Sequence, residues 1–311
     1  MKYAIISDIH GNITALDAVL SDCQKQNIDQ YIFLGDYYGE FSTMNEVRQK
    51  LKNTENTCII RGNGEDRLDR LIKENPNELT GAQYAPLHWY AKQLNKEDYD
   101  FIENMPQVIT IKSNDINLFL AHAPIQHFGK GVTEKISCRT FLDEYGVYYS
   151  NHNEYLSYIR KLLRNDNDFK IKITELPEGI YLFGHYHTQW HDELDNRIII
   201  NPGSCGYPLD FNTDAAYTIL DTTNEISITE HRVKYDKKLA LKLLEESSIK
   251  EDAPVWHKLA ILSFKNAKEE LLPLLEYVYD LAKKHNENTD PFTDKFWDEA
   301  TTQYIDIKLN N

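Results

Sequence analysis

The chain has 311 residues, of which 41% are hydrophobic, which is enough for a substantial buried core and too much for a disordered chain. It carries 34 basic and 49 acidic residues, so its formal net charge is −15. An anionic surface repels nucleic acids and acidic membranes. Composition therefore predicts a globular protein with no general nucleic-acid binding and no attraction to anionic membranes.

The four cysteines are spread through the chain without CxxC spacing, which favours reduced thiols over a disulfide framework. The first residues lack the apolar region of a signal peptide. No run approaches the roughly 18 apolar residues of a membrane span. These features predict a cytoplasmic protein without a membrane partner.

The chain opens with a short β-branched run, residues 4–6, which predicts a buried strand. Asp8 and His10 follow it two residues apart, so a carboxylate and an imidazole can point the same way, and this pair suits a first-row divalent metal. Apolar residues then recur at helical spacing to about Gln26, which indicates a strand followed by a helix. Taken alone, the pattern is equally typical of a turn.

Four further predicted strands also end in side chains that can bind a metal. They are residues 30–34 before Asp36, residues 57–60 before Asn63, residues 116–121 before His122, and residues 179–183 before His185 and His187. Each of these side chains has a turn or surface role as an alternative. Because ligands bind at the carboxyl ends of strands in α/β sheets, we expect all five strand ends to converge on one metal site.

The segments between these strands are mostly predicted to be helical. Residues 44–51 and 65–104 have helical spacing, with interruptions near Pro76 and Pro86, and residues 107–112 and 116–121 predict a hairpin that opens a second sheet. Residues 125–169 depart from strand patterning. This insertion either roofs the site or is a surface excursion with an amphipathic helix at 155–163.

The remaining strands are predicted at residues 197–200, 215–220 and 226–234, and the pattern then changes to helix. We place a domain boundary near Tyr235, which divides the chain into domains 1–235 and 236–311. The C-terminal helices are expected to pack on the core or to mediate a homo-oligomer. The tail, residues 285–311, is polar and is predicted to be at best partly helical.

The motifs DxH, GD, GN, H and GHxH, in that order, resemble those of the calcineurin-like metallophosphoesterases over about residues 1–235. The resemblance implies a four-layer αββα sandwich, two mixed β-sheets flanked by helices, with a helical C-terminal extension. It also implies a two-metal site. One ion would be held by Asp8, His10 and His187, the other by Asn63, His122 and His185, with Asp36 bridging them. The resemblance also implies that Asp36, Asn63 and His122 are catalytic together with a metal-bridging water.

The donor types discriminate among metals. Carboxylate, amide and imidazole donors without a thiolate favour Mn²⁺, Fe²⁺, Co²⁺, Ni²⁺ or Zn²⁺ over Ca²⁺ or an iron–sulfur cluster. The resemblance makes Mn²⁺ the expected metal, with two divalent ions bound.

One position departs from the family pattern. Many members read GNH, and that histidine is thought to protonate the leaving oxygen, whereas this chain has Gly64. Without an acid, alkyl monoesters are expected to react slowly, while anhydrides and aryl esters need protonation less. His127, His152 or His191 could supply the acid instead. The shortened motif also resembles a bacterial subgroup that includes phosphodiesterases and dinucleoside polyphosphate hydrolases.

We therefore predict hydrolysis of a phosphodiester or phosphoanhydride bond in a small phosphorylated substrate, nucleotides and dinucleoside polyphosphates included. The candidate substrate contacts are Asn12, Arg61, Arg67 and Tyr37. Arg61 has a structural ion pair as its alternative, and Tyr37 has rim packing. For the whole chain, the alternatives are a phosphomonoesterase or protein serine/threonine phosphatase, and a non-catalytic scaffold of this fold.

Overall fold

A computed structural model describes residues 1–73, 81–129, 150–287 and 294–309. In these ranges the strands form two five-stranded sheets. They are β1 Lys2–Ile6, β2 Gln30–Phe33, β3 Thr57–Ile59, β4 Val108–Ser113, β5 Ile116–Ala121, β6 Gly179–Leu182, β7 Gln189–Leu194, β8 Arg197–Pro202, β9 Ala215–Asp221 and β10 Ser227–Val233.

Both sheets are mixed. The first has the order β10-β9-β1-β2-β3, and its three strands β1, β2 and β3 are parallel, with β9 antiparallel to β1. The second has the order β4-β5-β6-β8-β7, and β5, β6 and β8 are parallel. Each sheet therefore has a parallel centre, whose carboxyl ends lie at one edge.

Helices connect the strands and follow the last one. They are α1 Ile13–Cys23, α2 Met44–Asn53, α3 Asn63–Lys73, α4 Ala85–Gln93, α5 Lys96–Asn104, α6 Ile125–Phe128, α7 His152–Asn165, α8 Asn167–Glu175, α9 Lys237–Glu245, α10 Ile249–Asp252, α11 Pro254–Asn266, α12 Leu271–Lys284 and α13 Asp294–Leu309. None of the helices in these ranges is long and apolar enough to cross a membrane.

Alternation along β1 shows how the layers are built. Tyr3 and Ile5 point into a core that they share with Leu118, Leu120 and other residues of the second sheet. Ala4 and Ile6 point the other way, into a core formed with the helices that cover the first sheet. Because side chains alternate across a strand, an apolar residue at every position requires cover on both faces. The two sheets therefore pack face to face.

The second sheet is covered by helices on its outer face in the same way. Phe128, Tyr155 and Phe169 from α6, α7 and α8 pack against strand residues such as Tyr181 and Ile199. The layers run helix, sheet, sheet, helix, so the predicted four-layer αββα sandwich is confirmed. The part of the insertion at residues 130–149 lies outside the described residues, and its role as a roof stays a prediction.

The C-terminal helices pack against the sandwich close to its strand ends. Leu244 and Phe264 share a core with Phe41, Tyr207 and Leu209. The predicted boundary near Tyr235 is not tested by this packing, and assembly through these helices stays a prediction.

The structure differs from the sequence prediction at two elements. Strand β7 was not predicted, because most of its sequence QWHDEL is polar. The structure places it at the edge of the second sheet, and Gln189 and Trp190 are its buried residues. The tail is more helical than expected: α13 buries Phe296, Trp297 and Ala300 against the neighbouring helices. The predicted interruption near Pro86 agrees with the structure, because α4 begins at Ala85 and Pro86 lies in its first turn, where proline is tolerated. Pro76 lies outside the described residues.

Candidate metal centre and adjoining cavity

The predicted ligands lie at the carboxyl ends of strands from both sheets. Asp8 follows β1 and Asp36 follows β2 in the first sheet, while His122 follows β5 and His185 follows β6 in the second. Asn63 is the first residue of α3, after β3. Both halves of the site therefore lie at one edge of the sandwich, where His122 and His187 of the second sheet contact Asp36 and Asp8 of the first.

One group of donors consists of Asp8, His10 and His187, whose ligand atoms all lie within 4.8 Å of one another. The Nε2 atoms of His10 and His187 are 3.1 Å apart. The Oδ1 atom of Asp8 lies 3.3 Å from Nε2 of His187 and 3.9 Å from Nε2 of His10. The Oδ2 atom of Asp36 is also 3.9 Å from Nε2 of His10.

A second group joins Asp36 to His122, Asn63 and His185. Nε2 of His122 lies 3.3 Å from Oδ2 of Asp36 and 2.9 Å from Oδ1 of Asn63. Nδ1 of His185 lies 2.6 Å from the same Asn63 oxygen. The Asp36 oxygen Oδ2 therefore lies between the two groups, as expected for a bridging carboxylate.

The imidazoles are held by bonds on their outer nitrogens. Nδ1 of His122 lies 2.7 Å from the carbonyl oxygen of Leu34, and Nδ1 of His187 lies 2.6 Å from that of Tyr207. Nδ1 of His10 lies 2.6 Å from Oε2 of Glu40. Such partners fix the tautomer that leaves Nε2 free to bind a metal. The three rings therefore present Nε2 to the centre.

Backbone conformation at the ligands is unusual. Asp8, His10, Asp36, His185 and His187 all have φ between 52° and 70°, in the left-handed region. A non-glycine residue there costs about 1–3 kcal/mol, and such residues cluster at functional sites. The fold holds these five side chains in place at a cost in local backbone energy.

Close packing also leaves no room for side chains around the ligands. A Cβ atom on Gly62 would lie 2.1 Å from Oδ1 of Asp36, and one on Gly39 would lie 2.5 Å from Nδ1 of His10. The Asp36 oxygen also accepts a 2.7 Å hydrogen bond from the backbone N–H of Gly64. These glycines allow the backbone to approach the site closely.

Electrostatics in the cluster favour cations. Burial lowers the pKa of His10, but Glu40 outweighs it, and the pKa rises to about 9. Burial also lowers the pKa of His122, but the charge of Asp36 outweighs it, and this pKa rises to about 10. Burial and the charge of His122 lower the pKa of His185 to about 4. The buried carboxylates thus keep the imidazoles of His10 and His122 protonated. A bound divalent ion would displace these protons.

The donor set fits two divalent metal ions. Carboxylate, amide oxygen and imidazole nitrogen are donors for first-row divalent ions, which they bind at about 2.0–2.2 Å. Two donors on one ion at that distance are then about 3–3.5 Å apart. The separations of 2.6 to 3.9 Å within each group are close to this, so both groups have the size of a coordination shell.

Of the four predicted substrate contacts, one lies at the cavity. Arg67 is exposed on α3 and lines the cavity beside the metal centre. Arg61 does not line it, because its guanidinium pairs with Asp66 at 2.8 Å and with Asp69 at 3.2 Å. Arg61 therefore forms the structural ion pair that was the alternative to a substrate contact.

Asn12 and Tyr37 are structural in their contacts. Asn12 caps α1, because its Oδ1 accepts the N–H of Ala15, and its amide donates to the carbonyl of Gly206. Tyr37 is fully buried, and its hydroxyl donates to the carbonyl of Ile60 at 2.6 Å and lies 3.0 Å from the carbonyl of Phe33. The expectation that these two side chains contact substrate is corrected by their burial.

Sequence reasoning missed two carboxylates that organise the site. Glu65 is fully buried and accepts the backbone N–H groups of Asp36, Tyr37 and Gly62. Burial, with the charge of Asp36, raises the pKa of Glu65 to about 7. A signal existed for Glu65, since it follows the GN motif in the first helical turn. Glu40, which holds His10, has no such signal.

A turn near the end of the second sheet supports the first donor group. The hydroxyl of Ser204 donates to the carbonyl of Asp8 at 2.6 Å, and the amide of Asn201 donates to the carbonyl of Gly184 at 2.8 Å. These bonds join β8 and the turn after it to the loops that carry the ligands. The turn thus shapes the site without presenting a reactive group to it.

A cavity of about 530 Å³ opens from the metal centre. Its floor contains ligands from both groups, including His10, Asp36 and His185. Tyrosines of the sandwich and of the insertion form one part of its wall. Leucine, isoleucine and tryptophan residues of the C-terminal helices form another. The volume is within the range of small-molecule sites.

Residues 1–225 match the model of the calcineurin-like phosphoesterase superfamily domain. The match covers well over half of the chain, and the fold and donor set agree with it. The chain therefore belongs to this superfamily of metal-dependent phosphoesterases. The match ends before the C-terminal helices that complete the cavity.

Relatives of similar size are found in archaea and bacteria. An uncharacterized protein of Methanocaldococcus jannaschii is 27% identical over 257 residues, which cover 81% of this chain and 94% of that protein. A crystal structure of a metallophosphoesterase from Sphaerobacter thermophilus has 21% identity and a TM-score of 0.57, and the alignment covers 86% of this chain and 100% of that one. A hypothetical protein from Pyrococcus horikoshii has 18% identity and a TM-score of 0.59, with 86% and 99% covered. These structures share the fold.

Proposed function

We propose that this protein is a phosphoesterase with two divalent metal ions that hydrolyses phosphodiester or phosphoanhydride bonds. One observation carries the proposal: two groups of buried donors, one on each side of Asp36, have the spacing of two adjoining coordination shells. Mn²⁺ is the metal that we propose on the basis of the donor types and the family resemblance.

The chain's own residues have separate roles in this reaction. When bound, two divalent ions supply an activated water and neutralise negative charge on the phosphoryl oxygens. Asp36 would hold both ions, and His122 and Asn63 would position the second one beside the substrate. Arg67, at the cavity wall, can donate to a phosphate oxygen. Small phosphorylated molecules, nucleotides included, are the substrates that such a site would take.

The leaving group receives no help from the three histidines that could have replaced the acid. His127 does not line the cavity: burial lowers its pKa to about 4, and its Nε2 faces the carbonyl of Leu182 at 3.1 Å. His152 faces Asp210, and His191 pairs with Glu230 at 2.6 Å. None of these three histidines reaches the cavity to replace the acid missing at Gly64. Leaving groups of low pKa, in aryl diesters and anhydrides, are therefore favoured over alkyl monoesters.

A non-catalytic scaffold of this fold is disfavoured by the strained ligands. Holding five ligand residues at positive φ costs free energy that a scaffold has no reason to spend. Strained backbone of this kind is typical of sites where side chains must converge on a ligand such as a metal ion.

Hydrolysis with added Mn²⁺ tests the proposal. The panel contains p-nitrophenyl phosphate, bis-p-nitrophenyl phosphate and a dinucleoside tetraphosphate, each assayed with the wild type and with Asp36→Asn. We expect turnover of the diester, the anhydride or both, and a loss on the order of 100-fold or more in Asp36→Asn, because one bridging charge is removed.

Asp115→Asn is the matched control, since it makes the same chemical change in the exposed turn between β4 and β5. It should retain wild-type activity. Equal activity in Asp36→Asn and wild type, or two ions bound per chain with no turnover of any substrate, would contradict the proposal.

A further inference from the structure

We infer that the substrate carries a single phosphate esterified to a large apolar or aromatic group, and that the C-terminal helices form the pocket for this group. The inference rests on the proposed function and deepens it. Its basis is the chemistry of the cavity wall next to the metal centre.

The wall on the C-terminal side is mostly apolar, and His257 and Glu269 are its polar members. Leu244 from α9, Trp256 and Leu259 from α11, and Leu271 and Leu272 at the beginning of α12 all line the cavity. A phosphate gains nothing from such a surface, whereas a hydrocarbon or aromatic group gains about 25 cal/mol for each Å² that it buries there. The wall therefore selects for the organic part of a substrate.

Aromatic rings also line the cavity. Tyr90, Tyr155, Tyr186 and Tyr207 line the same cavity. Tyrosine rings present large, flat contact surfaces, on which aromatic groups stack in offset or edge-to-face arrangements. An aromatic substituent would thus contact tyrosine rings as well as aliphatic side chains.

The charge balance at the cavity opposes a polyphosphate. Two divalent ions bring four positive charges, and the carboxylates of Asp8, Asp36, Glu40 and Glu269 at the centre and the wall offset all four. Arg67 is the cationic side chain that remains among the described lining residues. A phosphodiester, with one negative charge, matches this balance, and a dinucleoside tetraphosphate, with several, does not.

The apolar wall is built firmly enough to be a specificity pocket. The Trp256 ring stacks on Trp297 of α13 with ring centroids 5.8 Å apart, and Leu259 packs into the core of the C-terminal helices. The Oε1 atom of Glu269 accepts the N–H groups of Leu271 and Leu272 at 2.7 and 3.1 Å, which fixes the beginning of α12 at the cavity. The wall thus depends on the region that follows the family domain.

A series of p-nitrophenyl phosphodiesters tests the inference by activity. The leaving group stays constant while the second ester group is methyl, phenyl or 1-naphthyl, so that differences report binding of that group. We expect kcat/KM with Mn²⁺ to rise from methyl to naphthyl on the order of 50-fold, from about 100 Å² of additional apolar burial. Leu272→Ser should reduce this ratio several-fold. Leu239→Ser should not, because Leu239 lies on α9, is 44% exposed and does not line the cavity.

Binding of non-hydrolysable ligands separates this inference from the proposed function. Calorimetry of the Mn²⁺-loaded protein compares methylphosphonate with 1-naphthylmethylphosphonate for the wild type, Leu272→Ser and Leu239→Ser. Tighter naphthyl binding that only Leu272→Ser weakens would support the inference even if no ester is hydrolysed. Turnover with equal kcat/KM across the series, equal binding of the two phosphonates, or a preference for the dinucleoside tetraphosphate would overturn it.

Discussion

Gly64 is the residue at which the chain's chemistry departs most from the motif that it resembles. It lies in the first turn of α3, and its backbone N–H donates to the carboxylate of Asp36. A Cβ atom at this position would lie 3.1 Å from Oδ1 of Asp36 and 3.7 Å from the carbonyl oxygen of Tyr38, so a side chain needs only a small adjustment. The position can therefore be used to test whether an acid is missing.

Gly64→His is expected to raise activity toward alkyl phosphate monoesters by about 10-fold or more, and toward anhydrides by much less. The reason is that a general acid contributes about 10²–10⁴-fold only when the leaving oxygen needs a proton. The measurement is kcat/KM with Mn²⁺ for both substrate classes. Gly64→Ala is the control, because it adds the Cβ without an acid. An equal change on both classes would remove the leaving-group explanation.

At the scale of elements, α13 shows how a polar sequence can still form a buried helix. Phe296, Trp297 and Ala300 point into the core of the C-terminal helices, and the helix also packs beside the 3₁₀ turn Ala82–Tyr84. Most other side chains of α13 are polar, which hides the narrow apolar face in a composition-based prediction. The helix is thus stabilised by packing and matters to the cavity through Trp297, which supports Trp256.

Trp297→Ala should lower the free energy of unfolding by about 3 kcal/mol, because a large, 4% exposed aromatic side chain is replaced by a cavity. Thr302→Ala, at an exposed position of the same helix, should change it by less than about 0.5 kcal/mol. Urea unfolding at a fixed metal concentration measures both. A loss below 1 kcal/mol in Trp297→Ala would show that α13 contributes little to the fold.

For the whole molecule, the metal centre is a link between the two sheets. Asp8 and Asp36 come from the first sheet and His122 and His185 from the second, so an ion bound to both groups joins loops from both. The buried carboxylates repel each other and rely on nearby imidazoles in the absence of a cation. Asp36, for example, has its pKa raised by burial, but His122 outweighs this and lowers the pKa below its usual range.

Adding Mn²⁺ should therefore raise the unfolding temperature of the protein. An ion present at 100 times its dissociation constant stabilises the folded state by about 2.7 kcal/mol, which corresponds to a few degrees for a chain of this length. Thermal unfolding with a chelator and with Mn²⁺ measures the shift. Asp115→Asn should retain it and Asp36→Asn should lose most of it. An identical shift in all three proteins would place the stabilising ion elsewhere.

Much of the sandwich was predictable from the amino-acid sequence, because local patterns carry that information. Short β-branched runs and helical spacing identified most strands and helices. Strand ends followed by Asp, Asn or His predicted seven candidate ligands, and the structure brings these side chains together. They converge because a parallel strand and the residue after it are adjacent in sequence, and the fold places all such ends at one edge. Their role as metal ligands stays a prediction.

Long-range packing determines which neighbouring side chains contribute to the site. Arg61 and Arg67 both lie within four residues of Asn63 in sequence, yet Arg61 pairs with Asp66 and Asp69 while Arg67 lines the cavity. Glu40 binds His10, and residues such as Leu272, far along the chain, complete the cavity wall. These roles depend on packing between segments distant in sequence, and the local periodicity of a single chain does not specify such packing.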